Sequence, residues 1–342
     1  MPFFPDMKND GITPAFSLEE VEGAAFEYFS TSGFPYHNLM KHVCMQQINE
    51  LRKMSGSALL HSPIAMRVAD TYHPHRFHAV VFGAKGLPVD VIRDEKKLTR
   101  AIRLRLKYFG KIGSEYFSEL GLVSGIQTCS NFRPAFALDI YRKYGKLGGT
   151  VLDTCFGFGG RLVGFIASDC RRYIGFDPST KSYESNLRMS KDLAKDKEVL
   201  LRCLPIEDAD LSEFEESSDV AFTSPPYFCK EVYSEEDTQS CYRYKMSRDW
   251  CNGFLVPMMR FQFSSLKPGC YALVNIADVK IKNKLYPLVR WTIKAGEMVG
   301  FTYEGNIPYA LSRRFGSGKK GGNVVSVEPV LKFRKDGSNP TR

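Results

Sequence analysis

The amino-acid sequence predicts an α/β protein in which a mostly parallel sheet carries helices on both faces. From about residue 126 onward, short apolar runs alternate with segments of helical periodicity, which is the pattern of a parallel sheet covered by helices. A glycine-rich turn follows the first of these runs, and a Pro-Pro pair ends the fourth. Both features indicate strands that stop abruptly, because glycine permits a tight turn and proline cannot donate a ladder hydrogen bond.

Seven strands and four helices are expected in the second part of the chain, residues 126–342. The strands fall at 150–154, 173–176, 199–204, 219–223, 271–276, around 301–303 and at 324–333. The helices fall at 161–168, from a cap at Ser179 or Thr180 to about residue 194, at 248–266 and at 287–299. We expect Lys267-Pro268-Gly269 to stop the third helix, since proline and glycine end helices.

Residues 1–125 are expected to form a mainly helical extension. Apolar residues recur at helical spacing over 39–54, and 94–112 predicts an amphipathic helix with a basic polar face. That face is either solvated or a surface that contacts phosphates. All six histidines lie between residues 37 and 78, and three of them are His73, His75 and His78. We expect no metal site, because no acidic or thiol side chains accompany them at matching spacing. Contact of these rings with nucleic acid, next to Arg76, is the alternative that stays open.

Composition predicts a protein that has no membrane-spanning segment and that binds a polyanion. The formal net charge is +9, and residues 280–342 alone contain 13 Lys and Arg against 4 Asp and Glu. This basic end favours nucleic acid as a partner, with a solvated basic face as the alternative. No apolar run approaches the roughly 18 residues that cross a bilayer, and the N-terminus lacks signal-peptide features, so a cytoplasmic location is expected. Nine cysteines without a C-x-x-C pair favour reduced thiols over disulfides or zinc.

The stretch 219–227 reads D-V-A-F-T-S-P-P-Y and places chemistry at the end of a buried strand. The two prolines fix two φ angles, which holds the Ser224 hydroxyl and the carbonyls of Ser224 and Pro225 in one geometry beside the Tyr227 ring. Such a turn suits a flat substrate with an NH2 group, because its acceptors take the two hydrogens and its ring stacks on the face. The alternative is a proline-terminated strand with a tyrosine in the core.

This motif resembles the catalytic tetrapeptide (S/N/D)-P-P-(Y/F/W) of the S-adenosylmethionine-dependent DNA amino-methyltransferases, whose Ser form is found chiefly in cytosine-N4 enzymes. The resemblance implies that the catalytic residues are Ser224, Pro225, Pro226 and Tyr227. It implies a Rossmann-like class I methyltransferase fold whose last two strands form an antiparallel hairpin. It also implies S-adenosylmethionine as the cofactor, double-stranded DNA with a flipped base as the substrate, a cognate restriction endonuclease as a candidate partner, and a bacterial or phage-infected cell.

A second motif supports the resemblance. Residues 151–160 read V-L-D-T-C-F-G-F-G-G and resemble the family's motif I, which implies cofactor-binding roles for Asp153, Phe156, Gly157 and Gly159. Glycine suits a turn where a ligand presses against bare backbone, because it has no Cβ and tolerates positive φ. Asp177 ends the second strand 18 residues after Gly159, where a carboxylate can accept both hydroxyls of an adenosyl ribose.

Two flanking segments complete the expected cofactor site. After the third strand, P-I-E-D-A-D offers Glu207 or, slightly preferred, Asp208 as the carboxylate that the family places against the adenine amino group. A solvated acidic loop is the alternative. Before the first strand, S-N-F-R-P-A-F-A-L-D-I-Y resembles motif X, which implies that Asn131 and Arg133 hold the cofactor's carboxylate. A surface position is the alternative for Arg133.

Along the chain motif X comes first, then motif I and then S-P-P-Y, which is the family's motif IV, and this order resembles the γ arrangement. It departs from the common cytosine-N4 type, in which S-P-P-Y precedes the glycine motif, so adenine N6 stays open beside cytosine N4. Only 65 residues separate Gly159 from Ser224, which leaves no room for a target-recognition domain between them. We expect the DNA target sequence to be recognised by residues 1–125, by the segment after Tyr227, or by the basic loop S-R-R-F-G-S-G-K-K-G-G at 312–322. An RNA-base or protein-glutamine methyltransferase and a catalytically inactive nucleic-acid-binding relative are the remaining alternatives.

Overall fold

The structure is a computed structural model that describes residues 17–84, 86–109, 129–311 and 327–337. The chain divides into two compact units: the first comprises Met1–Asn38, Pro74–Cys129 and Arg313–Val324, and the second comprises Leu39–His73, Ser130–Ser312 and Val325–Arg342. Residues 39–73, which the sequence grouped with the N-terminal extension, thus belong to the same compact unit as the sheet. The basic loop 312–322 lies outside the described residues.

Twelve α-helices occur in the described ranges. In chain order they are α1 (Leu18–Ser32), α2 (Lys41–Lys53), α3 (Gly56–His61), α4 (Met66–Tyr72), α5 (Glu95–Phe109), α6 (Pro134–Tyr144), α7 (Gly160–Ala167), α8 (Thr180–Leu193), α9 (Ser240–Arg243), α10 (Ser247–Trp250), α11 (Val256–Ser265) and α12 (Leu288–Val299). Short 3-10 turns lie at Pro74–His78, Pro88–Arg93, Ile206–Asp208 and Leu211–Phe214, and a π-helical turn lies at Cys251–Leu255. No helix in these ranges is long and apolar enough to cross a membrane.

The strands of the described residues are β1 (Val80–Val81), β2 (Thr150–Asp153), β3 (Arg172–Phe176), β4 (Glu198–Arg202), β5 (Ser218–Thr223), β6 (Glu231–Val232), β7 (Leu266–Asn275), β8 (Val279–Ile281), β9 (Lys284–Tyr286), β10 (Thr302–Ala310) and β11 (Val327–Arg334). In the second unit, seven of them form one sheet in the order β10-β11-β7-β5-β2-β3-β4. The pairs from β4 to β7 are parallel, and β11 is antiparallel to both β7 and β10. The predicted seven-stranded, mostly parallel sheet with an antiparallel final pair is confirmed.

Both faces of the sheet are covered by helices, because successive side chains of the central strand β5 contact helices on opposite sides. All six residues of β5 are buried. Val220 and Phe222 belong to one apolar cluster with residues of α6 and α7, whereas Ala221 between them belongs to a second cluster with residues of α11. Because successive strand side chains point to opposite faces, this split means that helices pack on each side, as the sequence predicted.

Two helices predicted in the first 125 residues are confirmed, one in each unit. In the second unit, α2 buries Ile48 and Leu51 in the cluster beneath α6 and α7. In the first unit, α5 is the basic amphipathic helix predicted at 94–112, and its residues Leu98 and Ile102 pack against α1. Beside this apolar contact, Arg103 Nε donates to the Glu22 carboxylate of α1 at 2.9 Å.

The helix predicted at 248–266 is confirmed with one difference: α10, the π turn at Cys251–Leu255 and α11 follow one another without a break and end at Ser265. Lys267-Pro268-Gly269 comes directly after this end, but it lies inside β7. There Ser218 pairs with Leu266 and Val220 pairs with Tyr271, so the intervening residues of β7 bulge out of the ladder. A bulge accommodates proline because no ladder hydrogen bond is required of it.

One strand prediction needs correction, and one hairpin was missed. β10 extends to Ala310, well beyond the predicted residues 301–303. The antiparallel hairpin of β8 and β9 was not predicted at all. Each of its strands has three residues, which is too few for the period-2 pattern to stand out.

Candidate active site

Polar residues collect where the parallel strands end. β2, β3, β4, β5 and β7 run in the same direction and so end at one edge of the sheet. The glycine turn follows β2, Asp177 follows β3, Ser224 follows β5, and Asn275 is the last residue of β7. Because β5 lies between β2 and β7, the Ser224 turn is flanked by the glycine turn and by Asn275. In open α/β sheets this is the edge where ligands bind.

Gly157 and Gly159, in the turn after β2, have different structural roles. Gly157 and Gly159 have φ angles of 53° and 75°, in the left-handed region that other residues rarely adopt. A Cβ at Gly159 would lie 2.6 Å from the side chains of Asn186 and Met189, so this glycine lets α8 pack against the turn. At Gly157 the nearest atom to such a Cβ is 4.0 Å away. Gly157 therefore borders open space, where a ligand can approach the backbone.

Asp177 lies beside that open space. Its Oδ2 accepts a hydrogen bond from the Gly157 N–H at 2.9 Å, and its Oδ1 accepts one from the Ser179 N–H at 3.0 Å. Ser179 is also the N-cap of α8, as predicted. Burial raises the pKa of Asp177 to about 6, because the loss of solvent outweighs the two N–H donors that lower it. The carboxylate is thus held at the turn and titrates near neutral pH.

Asp153 and Phe156, which the sequence assigned to the cofactor, are both buried. Asp153 accepts hydrogen bonds from Arg161 Nε at 2.8 Å and from the Tyr173 hydroxyl at 2.7 Å. It also accepts one from the Cys155 N–H at 3.2 Å. These bonds tie β2, β3 and the start of α7 together, so Asp153 orders the turn from inside the protein.

The two carboxylates after β4 differ in exposure. Both oxygens of Asp208 accept from the Arg243 guanidinium, at 3.0 and 2.8 Å, and this side chain is 45% exposed. Glu207 accepts from the same guanidinium at 3.0 Å but is only 5% exposed. Burial raises the pKa of Glu207. Its carboxylate therefore meets less competition from water than that of Asp208.

Asn131 and Arg133 are both buried before α6. Asn131 Nδ2 donates to the Phe158 carbonyl at 3.1 Å, within the segment that follows Gly157. The Arg133 guanidinium lies 4.7 Å from the centre of the Tyr309 ring and donates to the Ala310 carbonyl. Its Nε has no hydrogen-bond partner among the described residues. Asn131 thus reaches the glycine turn, while Arg133 is held by β10 and keeps one buried donor.

The Ser224–Tyr227 turn is held from two other strands. The Ser224 hydroxyl donates to Asn275 Oδ1 at 3.3 Å, and the Tyr227 hydroxyl donates to Glu328 Oε2 at 2.8 Å. Tyr227 also lies 3.3 Å from Asn275 Oδ1, and Asn275 donates to the Pro329 carbonyl at 3.3 Å. Burial and the Glu328 carboxylate raise the pKa of the Tyr227 hydroxyl well above its usual value. The phenol is therefore neutral, with its ring fixed in one orientation.

Sequence reasoning missed Asn275 and Glu328. They lie 48 and 101 residues from Tyr227 along the chain. They meet it because β7 is paired to β5 on one side and to β11 on the other. For Asn275, the sequence feature that could have marked it as a site residue is its position at the end of an apolar strand. No local sequence pattern marks Glu328 as a site residue, since its position depends on the antiparallel register in which Val330 pairs with Asn275.

The histidine-rich stretch does not form a metal centre in the described ranges. Within 17–84, 86–109, 129–311 and 327–337, no group of three His, Cys, Asp or Glu side chains could hold a metal ion. In the second unit, Nδ1 of the buried His73 lies 2.8 Å from the Ala69 carbonyl. In the first unit, Nε2 of His78 lies 2.6 Å from the Tyr36 hydroxyl.

The strand order, the glycine turn after the first strand of the sheet and the antiparallel pair at its edge define the class I methyltransferase fold. No protein-family model matches the chain, and a search of curated proteins found no significant match.

Several solved structures are similar to this chain. A TehB-like SAM-dependent methyltransferase from Corynebacterium glutamicum is 13% identical with a TM-score of 0.37, over 60% of this chain and 90% of its own. A geranyl diphosphate methyltransferase in complex with SAM is 14% identical with a TM-score of 0.42, over 66% and 93%. A SAM-dependent O-methyltransferase from Thermotoga maritima is 10% identical with a TM-score of 0.39, over 62% and 69%. Similarities at this level add nothing on the substrate.

Proposed function

We propose that this protein transfers a methyl group from S-adenosylmethionine to an exocyclic amino nitrogen of a DNA base, cytosine N4 in preference to adenine N6. The observation that carries the proposal is the position of the Ser224–Tyr227 turn. It is held by Asn275 and Glu328 at the end of β5, directly beside the glycine turn at the end of β2. Neighbouring strands are about 4.8 Å apart, so a methyl donor at one turn and an amino group at the other are within reach of each other.

The residues around the glycine turn fit this cofactor. The open space at Gly157 admits a ligand against the backbone, and Asp177 beside it offers carboxylate oxygens to two ribose hydroxyls. The buried Glu207 is favoured over the half-exposed Asp208 as acceptor for an adenine amino group. The buried Nε of Arg133 is a donor for a carboxylate. When bound, the cofactor supplies an electrophilic methyl group on a sulfonium sulfur.

The Ser224–Tyr227 turn activates a weak nucleophile. The lone pair of an exocyclic amino nitrogen is delocalised into the base, and hydrogen bonds from the NH2 group to the Ser224 oxygen and the Pro225 carbonyl favour a tetrahedral nitrogen. Because the Ser224 hydrogen is donated to Asn275, the Ser224 oxygen keeps its lone pairs for accepting. The bond from Tyr227 to Glu328 holds the ring ready to stack on the base.

Charge favours a nucleic acid over a small substrate. The chain carries a net charge of +9. A base that reaches the Ser224–Tyr227 turn must leave its duplex, and Tyr227 then replaces the lost stacking. A cognate restriction endonuclease is a candidate partner of such a DNA methyltransferase. Adenine N6, an RNA base, a protein glutamine, and an inactive nucleic-acid-binding protein are the competing outcomes.

The experiment is a labelling assay. The protein is incubated with tritiated S-adenosylmethionine and DNA, RNA or protein, and labelled DNA is digested to nucleosides and identified by mass spectrometry. We expect N4-methylcytosine, with N6-methyladenine as the second candidate. Recovery of 5-methylcytosine would overturn the mechanism, since carbon methylation requires a cysteine nucleophile and this mechanism uses none. Label only in RNA or protein, or none at all, would overturn DNA as the substrate.

A further inference from the structure

A short hairpin follows the last parallel strand and stands at the edge where Ser224 and Asn275 lie. β8 begins at Val279, four residues after Asn275, and pairs antiparallel with β9. The two residues between the strands, Lys282 and Asn283, have φ angles of 47° and 63°. Two successive left-handed residues make the tight turn that matches the twist of a hairpin. The tip is therefore a defined structure with a fixed display of side chains.

The base of this hairpin is packed against the residue that follows the S-P-P-Y motif. The Tyr286 ring lies 5.1 Å from the Phe228 ring, centre to centre, and Phe228 lies 5.8 Å from Trp250. Val279 and Ile281 are buried in the same apolar cluster as Phe228. The hairpin is thus fixed to the segment that carries Tyr227, so its exposed face has a constant position relative to the proposed base pocket.

The exposed part of the hairpin is cationic. Lys280, Lys282 and Lys284 are all exposed, and none forms an ion pair with any described residue. The nearest acidic residue in the sequence, Asp278, accepts the Val289 N–H with its Oδ1 at 2.9 Å and forms no ion pair with these described lysines. Opposite Lys280 lies Leu285, whose side chain is 62% exposed. The Lys284 ammonium also lies over the Tyr286 ring, 5.2 Å from its centre. Lys280 pairs with Leu285 and Ile281 pairs with Lys284, so Lys280 and Lys284 project from opposite faces of the hairpin, with Lys282 at the turn between the strands. Three lysines without an ion pair, grouped around one rigid tip, suit a polyanion.

We propose that the β8–β9 hairpin binds the phosphate backbone of duplex DNA next to the base that enters the site, an inference that rests on the proposed function. The lysines contact phosphates rather than bases, because they are point charges without the planar fork that reads a base edge. Their role is to fix the register of the duplex over Ser224 and Tyr227. They carry no sequence information themselves.

The test compares two triple variants with the same loss of charge. One carries Lys280→Gln, Lys282→Gln and Lys284→Gln. The control carries Lys53→Gln, Lys191→Gln and Lys195→Gln, which are also exposed. Lys191 and Lys195 lie at the C-terminal end of α8, which returns to the opposite edge of the sheet. Affinity for a fluorescein-labelled 30-base-pair DNA is measured by anisotropy between 50 and 300 mM KCl.

We expect the hairpin variant to lower the slope of log affinity against log salt by about 2 to 3, at roughly 0.9 per phosphate contact. The control should leave the slope unchanged. Equal slopes in the hairpin variant and the wild type would overturn the proposal. Equal losses in both variants would overturn it too, since the effect would then be one of net charge alone. A slope lost with single-stranded RNA but kept with DNA would also overturn it, since the partner would then be RNA.

The binding assay separates this inference from the proposed function because it needs no methyl transfer. A hairpin-specific slope with no methylation of DNA would sink the proposed activity and leave the hairpin site standing. Methylation of DNA with an unaltered slope would do the reverse. Thermal melting of both variants checks that each is folded.

Discussion

The raised pKa of Asp177 makes cofactor affinity depend on pH. The pKa is about 6, against an ordinary value of 3.8, because the carboxyl group is partly buried at the turn. Two ribose hydroxyls need two acceptor oxygens, which the ionised carboxylate offers, whereas protonation turns one of these oxygens into a donor. With a pKa of about 6, roughly 9% of the groups are ionised at pH 5 and nearly all at pH 7.5. S-adenosylmethionine should therefore bind about tenfold more weakly at pH 5 than at pH 7.5.

Isothermal calorimetry provides the measurement. At pH 6, binding should release about half a proton per cofactor, which appears as a dependence of the heat on the ionisation enthalpy of the buffer. Asp177→Asn should bind about 1.5 to 3 kcal/mol more weakly, the cost of hydrogen bonds to a charged group, and its affinity should not change between pH 5 and 7.5. A flat profile in the wild type, or an unchanged profile in Asp177→Asn, would refute the assignment.

The same pKa has a consequence for stability without cofactor. A carboxyl group whose folded-state pKa is raised stabilises the fold in its protonated form. The contribution of Asp177 is complete below its ordinary pKa of 3.8 and is lost as the pH rises through about 6. At neutral pH the ionised Asp177 therefore opposes folding until a ligand donates to it.

Three further predictions follow from the site. Tyr227→Ala should abolish most turnover in a tritium-transfer assay while leaving calorimetric cofactor affinity nearly intact, and Tyr227→Phe should keep more activity because it retains the stacking ring. Asn275→Ala should lower kcat about tenfold, the equivalent of one hydrogen bond that orients Ser224, and an unchanged kcat would remove Asn275 from the site. Gly159→Ala should destabilise the fold by about 1 to 3 kcal/mol in thermal melting, since its Cβ would lie 2.6 Å from two side chains of α8. Gly157→Ala, with open space around it, should cost less stability but weaken cofactor binding.

Local sequence patterns determined most of the sheet and the turns that carry the site. The buried strand β5, its end before the two prolines and the helix cap at Ser179 were all predictable, because each depends on residues within a few positions of one another. The same holds for Gly157 and Gly159, whose positive φ angles follow from the tight connection between β2 and α7.

Only the tertiary structure decided which side chains meet at the site. Strand order and antiparallel register bring Asn275 and Glu328 to Tyr227. Local hydrophobic periodicity predicts neither of these properties. Burial likewise separated Glu207 from Asp208, adjacent residues of nearly the same chemistry. The bulge that takes Pro268 into β7 depends on pairing with β5, which lies far away in the chain. Short-range preferences select turns and strands, whereas hydrogen-bond partners and exposure depend on which distant segments the fold places together.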